Sequence, residues 1–473
     1  MNSLVRSSGS ATSRVKTSYN SEVIRIKQIS CRNLEIFRAQ PWLELSGSFG
    51  DIGTFIPIFI VLTQLNLISA SSTLVFSGLA NILTGLFFGI PLPVQPMKAI
   101  AAVAISSGHD FTSAKLASAG LFVAGVVGLL SVTGLIRWFS RVIPIPVVKG
   151  IQVGAGFALM ISAWPSGKYV REAAKAYPLL AGTISFYFFC SSRARWPFVL
   201  VIVLAVIIYH ALELTLWRGY NGTMPYLSIW RPHALVPSPK DFGHGVLEAG
   251  IGQVPLTTLN SVIAVVFLAD DLFPNVPSPS ATSIGLSVTA MNLVGCWFGA
   301  MPFCHGSGGL AAQYRFGARS GTSVIFLGGL KLLLGLFASE FVVSWCERFP
   351  KPILSFLVFL AGLELVKMGE SLNSEGARDL WEQVSNGDAD STEAKQFKRL
   401  SEEEKMRRYF IMTVTIGTIL GTKNDGIGFI AGMIVHGAYK FQDWLEQRQS
   451  EREGRIRLGE DDTDHSVLVA VTG

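Results

Sequence analysis

The chain has 473 residues, 49% of them hydrophobic and only 15% charged, with a mean hydropathy of +0.43 and a formal net charge of +6. Soluble domains carry about a quarter charged residues, so this composition points to a membrane protein. The basic excess sits largely in the amino-terminal stretch and short loops, which excludes a nucleic-acid signature, and the dispersed cysteines (Cys31, Cys190, Cys296, Cys304, Cys346) offer neither a disulfide framework nor a zinc site.

Residues 1–40 are polar, rich in Ser and basic side chains, and lack the apolar run of a secretory signal; a disordered cytosolic tail is expected. From Leu43 to Tyr439 about fourteen apolar segments follow, centred near 56, 80, 100, 126, 153, 183, 205, 258, 290, 310, 330, 358, 414 and 432. Leu116–Ile136 and Phe198–Leu212 carry no charge, and Thr322–Phe337 carries only Lys331. Such runs match the hydrocarbon thickness. The expected fold is an all-α polytopic membrane protein of about fourteen segments arranged as a seven-plus-seven inverted repeat. The second half must be inserted upside down, because seven is odd. The first repeat spans 41–217 and the second 246–440, with a central loop from Trp217 to Gly245 between them.

An even number of spans places both termini on one side. Arg137 and Arg141, Arg193 and Arg195, Arg315 and Arg319, and the Lys398–Arg408 stretch fall on that side, which the positive-inside rule makes cytosolic. Lys168, Arg171 and Lys175 are exceptions, and Asn221-Gly-Thr223 is a glycosylation sequon in the non-cytosolic loop. Gly369–Lys405 reads as an irregular, mobile cytosolic loop. Residues 441–473 form a polar cytosolic tail too short for a further folded domain.

Two stretches about 210 residues apart break their helices alike. The first runs Asn81-Ile-Leu-Thr-Gly85-Leu-Phe-Phe-Gly89-Ile-Pro91-Leu-Pro93-Val-Gln95-Pro96-Met-Lys98, and the second Asn292-Leu-Val-Gly295-Cys-Trp-Phe-Gly299-Ala-Met-Pro302-Phe-Cys-His305-Gly-Ser307-Gly308-Gly309. Paired Gly/Pro interruptions in the two halves mark the binding site of an inverted-repeat transporter. Irregular backbone in lipid must line an enclosed cavity. New helices can start near Met97 and Ser307, each offering amide N–H groups and roughly half a positive charge to an anion. Gln95, Lys98 and Ala99 stand at the first start; His305, Gly306, Ser307 and Gly308 at the second. Lys98 is either a site cation or a snorkelling or paired lysine, and His305 either a ligand contact or a structural histidine.

Two polar clusters interrupt equivalent segments: Ser46-Gly-Ser48-Phe-Gly50-Asp51 in the first and Gln253-Val-Pro255-Leu-Thr257-Thr258-Leu-Asn260 in the eighth. Asp51 is a candidate proton carrier, or a cap or partner for Lys98 or Lys149. Gln253, Thr257 and Asn260 can share one helix face; with Thr258 they are site donors or interhelical hydrogen bonders.

Leu45-Ser-Gly-Ser-Phe-Gly-Asp-Ile-Gly-Thr, Pro91-Leu-Pro-Val-Gln-Pro-Met-Lys-Ala-Ile-Ala-Ala, Val147-Val-Lys-Gly-Ile-Gln152, Gln253-Val-Pro-Leu-Thr-Thr-Leu-Asn-Ser-Val and Pro302–Gly309 resemble the plant molybdate transporters, a branch of the sulfate permease superfamily. The resemblance covers residues 41–440. It implies a mobile core domain, a gate domain, a substrate between the third and tenth segments, and elevator-type alternating access. Two features depart from ordinary sulfate permeases. A STAS domain is not expected in the short stretch after residue 440, and Asn260 stands where many of them have a coupling glutamate. An amide cannot take up a proton at physiological pH, so Asp51 would have to substitute, and uniport or exchange stays open.

Amides, hydroxyls and one lysine suit a tetrahedral dianion, but suit sulfate as well as molybdate. The resemblance favours high-affinity molybdate transport. Sulfate or general oxyanion transport, or an anion channel on the same fold, are the alternatives. No P-loop, nucleophile elbow or metal-ligand cluster suggests an enzyme, and no cofactor, metal or nucleic-acid partner is expected; molybdate would be bound as an oxyanion. Membrane lipid is the implied surrounding, a homodimer is common on this fold, and a vacuolar or other endomembrane is favoured over the plasma membrane.

Overall fold

The computed structural model describes residues 24–163, 204–205, 207–208, 227–274, 276–374, 378–384 and 394–471; at 51, 109, 140, 378, 381–384, 394–396 and 451–471 it describes the backbone alone. The expected segments near 183 and 205, the loop basic residues from Lys168 to Arg195 and the Asn221 sequon lie outside these residues.

The first half opens with a helix over 24–39 (α1), then α2 (Pro41–Ser48) continues through a tight turn, Phe49–Asp51, into α3 (Ile52–Gln64). The expectation of a disordered tail up to residue 40 therefore fails for α1. Buried Asn33 explains why: its amide donates to Gly85 O at 3.1 Å and accepts from Gly321 N at 3.0 Å, while Arg32 donates to Gly89 O at 2.9 Å. Next come α4 (Ala70–Phe88), β1 (Val94–Pro96), α5 (Lys98–Ser107), α6 (Ser113–Val132), α7 (Ile136–Val142) and α8 (Ile145–Ala163).

In the second half α9 runs over Pro239–Leu272. Two π-helical stretches, Val246–Gly250 and Thr257–Ile263, flank Pro255, whose ring removes one backbone donor and loosens the ladder. It is followed by α10 (Ala281–Gly295), β2 (Phe303–His305), α11 (Ser307–Arg315), α12 (Thr322–Phe337), α13 (Ser339–Arg348) and α14 (Lys351–Lys367), then α15 (Glu402–Thr422) and α16 (Asp425–Val471).

Among the described residues seven helices are long and apolar enough to cross a membrane; α5 and α12 are apolar but shorter. Exposed Leu79, Leu83, Phe87, Leu286, Val294 and Leu333 supply the apolar surface that lipid requires. Equivalent elements exchange partners across the halves: α4 packs along α12, and α10 along α6. A second group unites α8, α14, α15 and α16. Within each group, backbones meet at glycine. A Cβ at Gly78 would strike Gly328 O and one at Gly328 would strike Gly78 O; Gly156 and Gly362 are reciprocal in the same way between α8 and α14. Small residues at such crossings allow the close approach that drives helix association in lipid.

The stretch 369–405 is not irregular throughout. β3 (Trp381–Val384) pairs antiparallel with β4 (Ala394–Phe397), with Trp381 opposite Phe397. Arg408 ties the loop down by donating to Asn373 Oδ1 at 3.1 Å and Leu372 O at 2.8 Å.

Candidate anion site at two crossed strand–helix starts

The paired breaks come together. β1 lies antiparallel to β2, with Val94 opposite His305, Gln95 opposite Cys304 and Pro96 opposite Phe303. Each strand is held by the asparagine of its own repeat. Asn81 Oδ1 accepts from Val94 N at 2.8 Å, and Asn292 Oδ1 accepts from Phe303 N at 2.7 Å. Each preceding helix stops at a left-handed glycine, Gly89 (φ 67°) and Gly299 (φ 68°), a conformation that costs glycine nothing sterically. Backbone groups freed by the broken helices are thus satisfied inside protein, as a bilayer demands.

A narrow cavity of about 30 Å³ lies where α5 and α11 begin, walled by Gln95, Lys98, Gln152, Gln253, Asn260, Cys304, Gly306, Gly308 and Glu364 among others. A carboxamide covers each helix start. Gln253 Oε1 accepts from Ala99 N at 3.2 Å and Ile100 N at 3.4 Å, and its Nε2 donates to Thr257 Oγ1 at 2.9 Å. Gln95 crosses the start of α11 so closely that a Cβ at Gly306 or Gly309 would overlap it. Ser307 Oγ donates to Asn260 Oδ1 at 3.0 Å, which joins α11 to the π-helical part of α9. Lys98 Nζ stands 3.5 Å from Glu364 Oε1, an ion pair that reaches from α5 to α14.

Gln95, Lys98, Gln253, Asn260, Gly306 and Gly308 therefore line one cavity, with Ala99, Thr257 and Ser307 bonded directly to its wall. Three expected residues lie elsewhere. His305 alternates with Cys304 along β2 and points behind the strand, fully buried. Its Nδ1 meets Pro93 O at 3.4 Å, and since a carbonyl only accepts, Nδ1 carries the hydrogen; Nε2 meets Ser287 Oγ at 3.0 Å. Thr258 is buried and donates to Val254 O of its own helix at 2.9 Å. Ser46 sits on α2, whose neighbour Gly47 is pressed onto Ala318 beyond α11. For Asp51 the backbone closes the turn before α3, and its side chain lies outside the described residues.

Gln152 of α8 and Glu364 of α14 complete the wall and were not singled out as site residues from the sequence. Glu364 is the only acid in the Pro352–Val366 apolar run, the one local signal that could have marked it. Lys331, the charge inside α12, lies 3.6 Å above the Phe55 ring, a packing role. Among the described residues no three metal-ligating side chains gather.

Broken helices meeting head to head inside a polytopic inverted repeat, with polar donors and one lysine around a small cavity, define an anion transporter. Comparison with known proteins narrows this class. The family model "Molybdate transporter of MFS superfamily" matches residues 43–159 and 245–365, one block in each repeat. The chain is 40% identical over 371 residues to molybdate transporter 2 of Arabidopsis thaliana, covering 70% of this chain and 80% of that protein. It is 33% identical over 445 residues to molybdate transporter 1 of the same plant, covering 85% and 88%. Its fold is similar to the transmembrane domain of a cyanobacterial bicarbonate transporter, BicA (TM-score 0.53, 16% identity, 83% of this chain and 97% of that one), and to SLC26A9 (TM-score 0.54, 14% identity, 87% and 66%). The chain belongs to the molybdate transporter family, and is a multi-pass integral membrane protein.

Proposed function

We propose that this protein is a high-affinity molybdate carrier, not an enzyme, which binds the oxyanion between the starts of α5 and α11. The observation that carries this reading is the cavity itself, where two helix starts, amide and hydroxyl donors and Lys98 converge. A tetrahedral dianion has only acceptor oxygens and suits such a donor-lined site. The choice of molybdate rests on the family; the donors alone fit sulfate equally.

Transport is proposed to be of the elevator type. A core containing α3–α6 and α9–α12 would carry the anion past a gate of α8 and α14–α16 within the 41–440 transmembrane domain. Support comes from the two packing groups and from the cavity's position at their seam, between Lys98 and Gln253 on one side and Gln152 and Glu364 on the other. Both termini are assigned to the cytosol because Arg137, Arg141, Arg315 and Arg319 follow outward-to-inward segments. A vacuolar or other endomembrane location and a homodimer complete the proposal.

The test is molybdate flux into liposomes holding the purified protein, at nanomolar substrate, with and without a large sulfate excess. Saturable uptake that survives sulfate supports the molybdate carrier. Uptake abolished by sulfate makes it a general oxyanion carrier, and conductance far above carrier turnover makes it a channel.

A further inference from the structure

A second cavity lies away from the anion site, on the apolar surface between α4 and α10. It is a groove of about 560 Å³ with exposed Leu79, Leu83, Phe87, Leu286 and Val294 in its walls. The lining runs from Phe76 to Phe88 on α4 and from Ser283 to Val294 on α10. At 1.5 Å per residue each wall is about 17 Å long, close to the hydrocarbon depth of one leaflet, about 15 Å. Among the described residues the lining holds one charged side chain, Arg25 of α1. That helix is fastened where α4 ends: Ile29 lies against Gly89, and Asn33 donates to Gly85 O at 3.1 Å. It carries Arg25, Lys27, Arg32 and Arg38 against one acid, Glu35, and its Ile24 and Leu34 are exposed. A basic helix with exposed apolar residues belongs in the membrane interface. On the topology proposed above this end of the groove faces the cytosol, the side whose leaflet holds the anionic lipids.

We infer that this groove binds an anionic glycerophospholipid of the cytosolic leaflet, its phosphate on the Arg25 guanidinium and one acyl chain along the walls. The phosphate supplies the acceptor oxygens that a guanidinium takes, and the chain covers the apolar lining. The groove also reaches the back of the anion site. Ser287 and Phe88 line it and both touch His305: Ser287 Oγ is 3.0 Å from Nε2, and the Phe88 ring stands edge-on with its centre 6.2 Å away. His305 belongs to β2, while the adjacent Cys304 and Gly306 line the anion cavity. A chain filling the groove therefore backs the strand that shapes that cavity. Lipid binding stands apart from the transported ion; its effect on uptake rests on the oxyanion-carrier reading.

The test uses the full chain, purified in detergent and stripped of lipid, with phosphatidylglycerol and phosphatidylcholine of identical acyl chains. Phosphatidylglycerol should raise the melting temperature saturably, at a concentration about five-fold lower than phosphatidylcholine, the preference one basic residue at an interface confers. Arg25→Gln should erase that preference. Ala290→Phe, at an exposed position of the lining, should abolish stabilisation by both lipids. Equal action of the two lipids on the parent, a preference that survives Arg25→Gln, or undiminished stabilisation of Ala290→Phe each overturns the site. Stabilisation by a sterol or by self-association, with none by phosphatidylglycerol, gives the groove another occupant and overturns it too. The preference of the parent decides even where a variant fails to fold. In proteoliposomes, phosphatidylglycerol should lower the KM for molybdate several-fold, although a negative surface by itself repels a dianion and raises KM. Ala290→Phe should lose that gain. A raised or unchanged KM overturns the link to the anion site. Absence of flux in every lipid, with the thermal preference intact, would instead refute the carrier reading and leave the lipid site standing.

Discussion

Lys98→Gln is the sharpest single perturbation of the site. The ammonium lies at the start of α5, 3.5 Å from Glu364 Oε1, and its side chain is only 16% exposed. An anion oxygen taking the place of Glu364 would stand at a similar distance. At an effective dielectric of about 20, each unit charge about 4 Å away is worth about 4 kcal/mol. Desolvation and the nearby Glu364 carboxylate reduce that gain. Truncating one partner of a partly buried charge pair typically costs about 2–5 kcal/mol. Taking about 2–4 kcal/mol, the KM for molybdate should rise about 30- to 1,000-fold. The assay is initial-rate uptake into proteoliposomes across a substrate series, normalised to the protein inserted. A competing view holds that Lys98 serves only to neutralise Glu364. The double variant Lys98→Gln/Glu364→Gln separates the two: neutralisation alone predicts that uptake returns, whereas a substrate-binding Lys98 predicts that it does not. A single variant with KM within about two-fold of the parent at equal abundance would refute the reasoning.

Three further outcomes follow from the same geometry. Asn292→Leu should lower the melting temperature, because Phe303 N loses its buried acceptor at a cost of about 1–3 kcal/mol; an unchanged melting temperature would show that the strand is held otherwise. Ser307→Ala should weaken apparent affinity a few-fold without changing abundance, since it frees Asn260 Oδ1 at the cavity edge while leaving α11 intact; failure to accumulate folded protein would give Ser307 a structural role. A small thiol reagent should inhibit uptake, with protection by molybdate, because Cys304 lines the cavity. Exposed Cys31 also reacts, so the check is Cys304→Ser, and equal sensitivity in that variant would remove Cys304 from the site.

Much of this architecture is written locally. A proline break after Phe-Gly, an asparagine ten residues before that proline and a small-residue helix after it are visible in each half, because interrupting a helix in lipid requires glycine and proline at the break and a polar side chain to satisfy the freed backbone. Gln253, Thr257 and Asn260 were legible for the same reason, being polar residues on an apolar helix. The amino-terminal stretch misled: a polar composition reads as disorder, yet Asn33 and Arg32 reach backbone carbonyls and an amide that long-range packing places beside them.

The tertiary structure alone decided which side of each break faces the cavity. Cys304 and His305 are neighbours in sequence, and strand alternation sends one to the cavity wall and the other behind it. It alone placed Gln152 and Glu364 opposite Lys98, the latter across a separation of 266 residues. The sequence determined where the chain must break, because backbone hydrogen bonding is a local demand. Which side chains meet at the break depended on how two helix groups pack, and packing is settled by surfaces that adjacent residues do not share.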